Sequence, residues 1–231
     1  MGNMKNRRKE FDIDEFLKLE PPEEILVSAQ SYAKLMMCYR CAIKEVETKL
    51  QVLNEEFSLQ YNRNPFESIK SRVKSSYSIL EKLKRKGYEI NVKNIEENLS
   101  DVAGIRVVCS FKEDIYHIEK MLAKQDDIIV LERKDYIENP KPNGYRSLHL
   151  ILDIPIFLSN EKKHMKVEVQ FRTIAMDFWA SLEHKMKYKK DIEDANEIVE
   201  ELRICADSIS EIDHKMQEIR NRIEKGKVPD K

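Results

Sequence analysis

Lysines and arginines stand beside isolated acids at strand-like spacing in this chain. Lys70, Arg72 and Lys74 alternate with Ile69, Ser71 and Val73, and Glu168, Gln170 and Arg172 alternate with Val167, Val169 and Phe171. Residues two apart in a strand share a face, so each run offers one apolar side and one reactive side. A third run, Tyr145, Ser147 and His149 set against Leu148, Leu150 and Leu152, follows the turn signal Pro142-Asn143-Gly144. Asp101 stands just before Ala103-Gly104-Ile105-Arg106. One such triplet could be a solvated strand face; three together point to a single polar sheet face that carries a site. Clustered cations beside two separate acids, Asp101 and Glu168, suit a phosphate substrate with a bridging divalent ion. Mg²⁺ takes one or two carboxylates and completes its shell with phosphate oxygens and water. The cations would neutralise charge on the phosphates. No G-x-x-x-x-G-K-[ST] or G-x-G-x-x-G run occurs, so side chains rather than a glycine-rich loop must hold those phosphates. H-E-x-x-H and G-x-S-x-G are also missing, and Ser147 and His149 two apart on one strand do not make a triad.

The elements that must position these groups follow from periodicity. Residues 1–22 are polar and end in Pro21-Pro22, a loosely held lead-in; residues 23–231 read as a single domain with a core at about 64–190. A helix over 23–62 carries a seam of Ala29, Tyr32, Met36, Tyr39, Ile43, Val46, Leu50, Leu53 and Phe57 at alternating spacings of three and four. A second long helix, over 193–225, carries Ile198, Leu202, Cys205, Ile209, Ile212, Met216, Ile219 and Ile223. Either the two pack on each other and on the core, or part of this surface joins subunits. Between them the spacing predicts strands at 66–74, 105–111, 128–136, 145–153 and 164–172. It also predicts a basic helix at 75–86 closed by Gly87, a helix at 113–124, and a helix capped by Thr173 that buries Phe178, Trp179 and Met186. The interleaving is not regularly β-α-β, so the fold class is α+β, a mixed sheet flanked by helices.

Composition sets bounds. Of 231 residues, 41% are hydrophobic and 36% charged, with a net charge of −1, so any basic site must be local. No apolar run is long enough to span a bilayer, and residues 1–10 lack a signal core, so a cytoplasmic protein is expected. Cys38 and Cys41 form a C-x-x-C without a second pair; buried thiols are the favoured reading over zinc or redox chemistry. His117, His164 and His214 carry no assigned role.

Five motifs in order carry a resemblance. They are Asn64-Pro65-Phe66 through Lys74, Asp101 to Arg106, Lys141-Pro-Asn-Gly-Tyr-Arg-Ser-Leu-His149, Glu168-Val-Gln-Phe-Arg-Thr173 and Asp177-Phe-Trp-Ala-Ser-Leu-Glu-His184. The chain closely resembles the small alarmone synthetases, single-domain (p)ppGpp synthetases of the RelA/SpoT group. The resemblance implies a nucleotidyltransferase-like fold and transfer of the β,γ-pyrophosphate of ATP to the 3′-hydroxyl of GDP or GTP. It places Arg72 and Arg106 on either side of adenine, which suits guanidinium stacking. It sets Lys74, Lys82 and Arg85 on the ATP phosphates. Asp101 becomes a Mg²⁺ ligand, and Glu168 the acid that assists the metal and activates the acceptor hydroxyl. Tyr145 would stack on guanine, with Lys141, His149, Gln170, Arg172 and Asp177 completing the acceptor side. A homotetramer is implied. The competing expectations are a related enzyme acting on an adenine nucleotide or tRNA, a non-catalytic nucleotide-binding regulator, and an added affinity for single-stranded RNA through residues 82–86.

Overall fold

The computed structural model describes residues 23–61, 63–186 and 195–226. The expected lead-in at 1–22, the end of the expected core at 187–190, residue 62, and the first two residues of the expected C-terminal helix lie outside them. Helix α1 (Glu23–Tyr61) leads into strand β1 (Phe66–Val73), then α2 (Ser76–Lys86) and the short α3 (Val92–Asn98). Strand β2 (Ala103–Cys109), helix α4 (Lys112–Ala123) and strands β3 (Ile129–Asp135), β4 (Leu148–Phe157) and β5 (Lys162–Thr173) follow. Helices α5 (Ile174–Met186) and α6 (Ala195–Gly226) complete the α+β fold.

The five strands form one mixed sheet in the order β1-β2-β5-β4-β3, with β2 and β5 parallel and every other pair antiparallel. Strand alternation sends Ile105 and Val107, Leu148, Leu150, Leu152 and Ile154, and Val167, Val169 and Phe171 to one side, where they are buried. Helix α1 lies on that side. Its seam from Met36 through Tyr39, Ile43, Val46 and Leu50 to Leu53 is buried in the same core. At roughly 25 cal/mol per Å² of apolar surface removed from water, each large side chain in that seam stabilises the fold by about 1.5–3 kcal/mol. The opposite face carries Arg106, His149, Glu168 and Gln170, with Val108 and Ile151 as buried apolar side chains among them.

Local signals set the ends of the elements near the site. The Ser75 hydroxyl accepts from the Ser78 amide and caps α2, and Gly87 at φ 73 ends it. Thr173 Oγ1 accepts from the Met176 amide at 3.2 Å, capping α5 as expected. Helix α3 is absent from the sequence reading; its signal is the Asn91 cap, which accepts from the Asn94 amide at 2.7 Å. Three expectations fail. Tyr145, Arg146 and Ser147 precede β4 rather than belonging to it, because the chain is still leaving the Gly144 turn. Ser147 is therefore not on the polar face: it is buried and donates to the Phe171 carbonyl at 2.9 Å. Trp179 is buried as expected, but Phe178 and Met186 are exposed, because the inward face of α5 is Met176, Trp179, Ala180 and Glu183. The α6 seam packs only in part. Ala206 is buried with Leu202 and Ile209 against Trp179, whereas Ile212, Met216, Ile219 and Ile223 are exposed.

Candidate active site

Register places the polar groups in rows across the sheet. Lys70, Arg106, Gln170, His149 and Lys134 are successive Cα partners, one from each strand, and Arg72, Gly104 and Glu168 form the next row. Gly104 has no side chain, so a hollow opens between Arg72 and Glu168. The resulting cavity, about 260 Å³, is lined by Lys70, Arg72, Asp101, Arg106, Glu168 and Gln170.

Asp101 lies at one end of this cavity. Its Oδ2 accepts from Lys74 Nζ at 2.9 Å and from Lys82 Nζ at 2.7 Å. Burial pushes the carboxyl up, but the two hydrogen-bonded ammoniums outweigh it and hold Asp101 below the ordinary carboxylate range. Its Oδ1 is buried without a partner. A buried carboxylate oxygen with an open lone pair, facing the same cavity as Glu168, fits a hard divalent cation. Among the described residues no three His, Cys, Asp or Glu side chains cluster as a metal cage. An ion here would draw the rest of its shell from phosphate oxygens and water. Lys74 and Lys82 thus meet at Asp101, while Arg85, expected beside them, is exposed in the last turn of α2 and does not line the cavity. Arg72 is exposed at the rim. Burial and the adjacent Arg172 charge lower the pKa of the Arg106 guanidinium against the pull of Asp177.

A chain of hydrogen bonds crosses the other side. Arg172 Nη2 donates to the Tyr145 hydroxyl at 2.9 Å, and that hydroxyl lies 2.8 Å from His149 Nε2. His149 Nδ1 lies 3.2 Å from Glu168 Oε1. The partners assign the tautomer: Tyr145 donates to Nε2, and Nδ1–H donates to the carboxylate. Gln170 Nε2 donates to Glu168 Oε2 at 2.9 Å. Burial raises the Glu168 carboxyl, but His149 and then Gln170 pull it below its ordinary value, so it is a carboxylate at neutral pH. Arg172 Nη1 donates to Asp177 Oδ1 at 2.8 Å, and Arg106 lies 3.3 Å from the same oxygen. The Lys141 ammonium sits 5.0 Å from the Tyr145 ring centroid and 4.6 Å from that of Tyr136. Sequence reasoning missed Tyr136 and Lys134. Tyr136 packs edge-on to His149 with ring centroids 5.2 Å apart, and its only sequence signal is its place at the end of a strand just before the loop.

The loop that carries Lys141 and Tyr145 is stapled to the C-terminal helices. Gly144 at φ 85 brings the chain against α6. Arg146 donates to the Ala206 carbonyl at 3.3 Å and to Asp207 at 3.0 Å, and Asn143 donates to Glu183 at 3.0 Å. Trp179 Nε1 donates to the Leu202 carbonyl at 2.9 Å, joining α5 to α6. An arginine-rich sheet face with two acids, one of them hydrogen-bonded to a histidine, has the equipment of a phosphoryl-group transferase.

Comparison with known proteins agrees. Residues 71–193 match the family described as the region found in RelA / SpoT proteins, and the chain belongs to that family. It is 41% identical over 202 residues to the GTP pyrophosphokinase YwaC of Bacillus subtilis, covering 87% of this chain and 96% of that one. The crystal structure of small alarmone synthetase 2 from Bacillus subtilis superposes with a TM-score of 0.74 at 41% identity, covering 83% of this chain and 98% of the other. Small alarmone synthetase 1 from the same organism, bound to its product pppGpp, gives 0.75 at 34% identity, covering 84% and 99%.

Proposed function

We propose that this chain is a GTP/GDP pyrophosphokinase, transferring the β,γ-pyrophosphate of ATP to the 3′-hydroxyl of GDP or GTP and giving ppGpp or pppGpp with AMP. The observation that carries the reading is Glu168, held as a carboxylate between a cationic half of the sheet face and an aromatic half. On the cationic side, Lys74, Lys82 and Arg72 with Arg106 take the ATP, the lysines on its phosphates and the guanidiniums on adenine. On the aromatic side, Tyr145 stacks on guanine, with Lys141, Gln170, Arg172 and Asp177 around the acceptor. Arg85, one turn beyond Lys82 and exposed, is a long-range charge for the phosphates rather than a contact in the resting arrangement.

In the reaction the acceptor 3′-oxygen attacks the β-phosphorus in line, the bond from that phosphorus to the α,β-bridging oxygen breaks, and AMP leaves. Glu168 receives the hydroxyl proton, and His149 and Gln170 aim its oxygens at the acceptor. Positioning and charge neutralisation supply most of such catalysis. Asp101 and Glu168 are the residues that would hold Mg²⁺, which when bound neutralises charge on the donor phosphates.

The reading extends to the assembly. The exposed stripe Ile174, Phe178, Leu182 and Met186 on α5, with Ile212, Met216, Ile219 and Ile223 on α6, supports a homo-oligomer, taken as a tetramer. The exposed Lys84, Arg85 and Lys86 support a salt-sensitive contact with single-stranded RNA. A cytoplasmic location accords with this. No helix among the described residues is long and apolar enough to cross a membrane.

The test incubates the protein with ATP, GDP and Mg²⁺, beside an arm with ATP alone, and resolves the nucleotides. Production of AMP with a guanosine nucleotide pyrophosphorylated at the 3′ position is expected. Failure to form both products rejects the assignment.

A further inference from the structure

A second cavity, about 620 Å³, lies away from the polar face, between the first turns of α1 and the helices α2 and α3. Its floor is the buried pair Ile79 and Ile95, and its rim is Val27, Leu80 and Ile90, all exposed apolar side chains. One end is closed by Tyr32, whose hydroxyl donates to Ser76 Oγ at 2.8 Å. Exposed large side chains converging on a buried apolar floor leave surface in water that an occupant would cover.

We propose that this groove receives the chain's own residues 11–19, which lie outside the described residues. The stretch reads Phe-Asp-Ile-Asp-Glu-Phe-Leu-Lys-Leu, and Ile13, Phe16 and Leu17 have the i, i+3, i+4 spacing of one helix face. The stretch carries three acids, Asp12, Asp14 and Glu15, against one base, Lys18, a net negative charge opposite in sign to Lys93 at the groove, whose neighbour on α3 is Glu97 at 4.0 Å. Pro21 and Pro22 follow at once. A proline disfavours helical backbone in the residue before it, so the sequence breaks the helical pattern between this stretch and α1. The geometry of reach agrees. A tether of four extended residues spans roughly 13 Å. The eight helical steps from Glu23 to Ser31, which lines the groove, advance about 12 Å. Residue 19 can therefore lie level with the middle of the groove. A tethered occupant is present at high effective concentration and forfeits little translational freedom, which favours it over a second copy.

Docking there would brace the donor side from behind. Helix α2 presents Ile79 to the groove and Lys82 to Asp101, and α3 ends three residues before Asp101. The segment would thus act as a strap that fixes the Lys82–Asp101 pair without touching substrate. The inference does not rest on the catalytic reading, because both tests below are physical.

The first test uses the full chain with Cys205, the exposed thiol, replaced by Ser, and pairs Leu17→Cys or Phe16→Cys with Ile90→Cys. Mild oxidation of an equal mixture of normal and ¹⁵N-labelled chains is followed by peptide mapping. A disulfide within one chain between the two introduced thiols supports the proposal. A disulfide found only between chains assigns the groove to a second copy, and no disulfide in either pair leaves it without this occupant; both results overturn the proposal. The second test compares hydrogen exchange in the native chain and in Phe16→Asp/Leu17→Asp. Exchange in α2 and α3 should be at least about tenfold faster in the variant, as expected for loss of a local cooperative contact. Equal rates overturn the proposal.

Discussion

Replacing Gly144 by alanine should damage the protein in a way that its counterpart at Gly87 does not. Both glycines have positive φ, 85 at Gly144 and 73 at Gly87. An L-residue in that region costs about 1 kcal/mol. There the likeness ends. A Cβ at Gly87 meets nothing within 4 Å, whereas one at Gly144 would stand 2.4 Å from the Ala206 Cβ and 3.3 Å from the Arg203 Cα. No rotamer relieves a clash between two Cβ atoms, so α6 or the loop must move, and overpacking of this kind costs about 1–3 kcal/mol. The totals are about 1 kcal/mol for Gly87→Ala and about 2–4 kcal/mol for Gly144→Ala. In a domain of this size 1 kcal/mol shifts Tm by about 2–4 °C, which gives a drop of roughly 2–4 °C against one of roughly 4–16 °C. Because Tyr145 is the next residue, Gly144→Ala should also raise KM for the guanosine acceptor, while KM for ATP stays near its native value. Thermal unfolding and initial rates at varied GDP measure both effects. Equal Tm losses for the two variants, with an unchanged acceptor KM, would refute the argument that α6 clamps this loop.

Four further outcomes follow from the geometry. Glu168→Gln keeps the fold and a hydrogen-bonding side chain but removes the proton acceptor, so kcat should fall by about 10²–10⁴ in the nucleotide assay; near-native turnover would exclude Glu168 as the base. Lys82→Ala removes one of the two cations on Asp101 and should raise KM for ATP more than KM for GDP, as read by paired substrate titrations. Asp114 is buried and receives Arg63 at 2.6 Å and Arg220 at 3.3 Å, so Asp114→Ala leaves both guanidiniums with the half-exposed Glu224 alone and should lower stability by about 1–3 kcal/mol in denaturant titration. Asp213 accepts from Thr173 at 2.7 Å, but burial holds its carboxyl above the ordinary value. Its protonated form is favoured by folding, so stability falls as pH rises through the unfolded pKa, about 3.9, toward the raised folded one. Asp213→Asn, which keeps an acceptor for Thr173, should therefore raise Tm at pH 7 and lose that advantage below about pH 4.

Much of this molecule was legible in the sequence because the strands that carry the site also carry the alternation. Glu168, Gln170 and Arg172 share a face, and Arg106 joins them across the sheet, because period-two patterning survives folding. Alternation misled at Ser147, where a turn rather than a strand controls direction. It was silent on Tyr136, which reaches His149 only through the pairing of β3 with β4, a contact that no local pattern encodes. Phe178 and Met186 show a different limit. An apolar helix position carries the same local signal whether or not anything covers it, so an exposed apolar side chain reads as core. Helix α3 is too short for periodicity to register, and one Asn cap was its only mark.

The hydrogen-bonded line from Arg172 through Tyr145 and His149 to Glu168 ties two traits that are usually separable. The ring proposed to recognise the acceptor base also sets, through one imidazole, the orientation of the proposed base catalyst. A change at Tyr145 meant to retune acceptor choice would thus disturb turnover as well. New selectivity in this scaffold is easier to reach through Lys141, which meets the Tyr145 ring without joining that line of hydrogen bonds, than through Asp177, which accepts from Arg172 at its head.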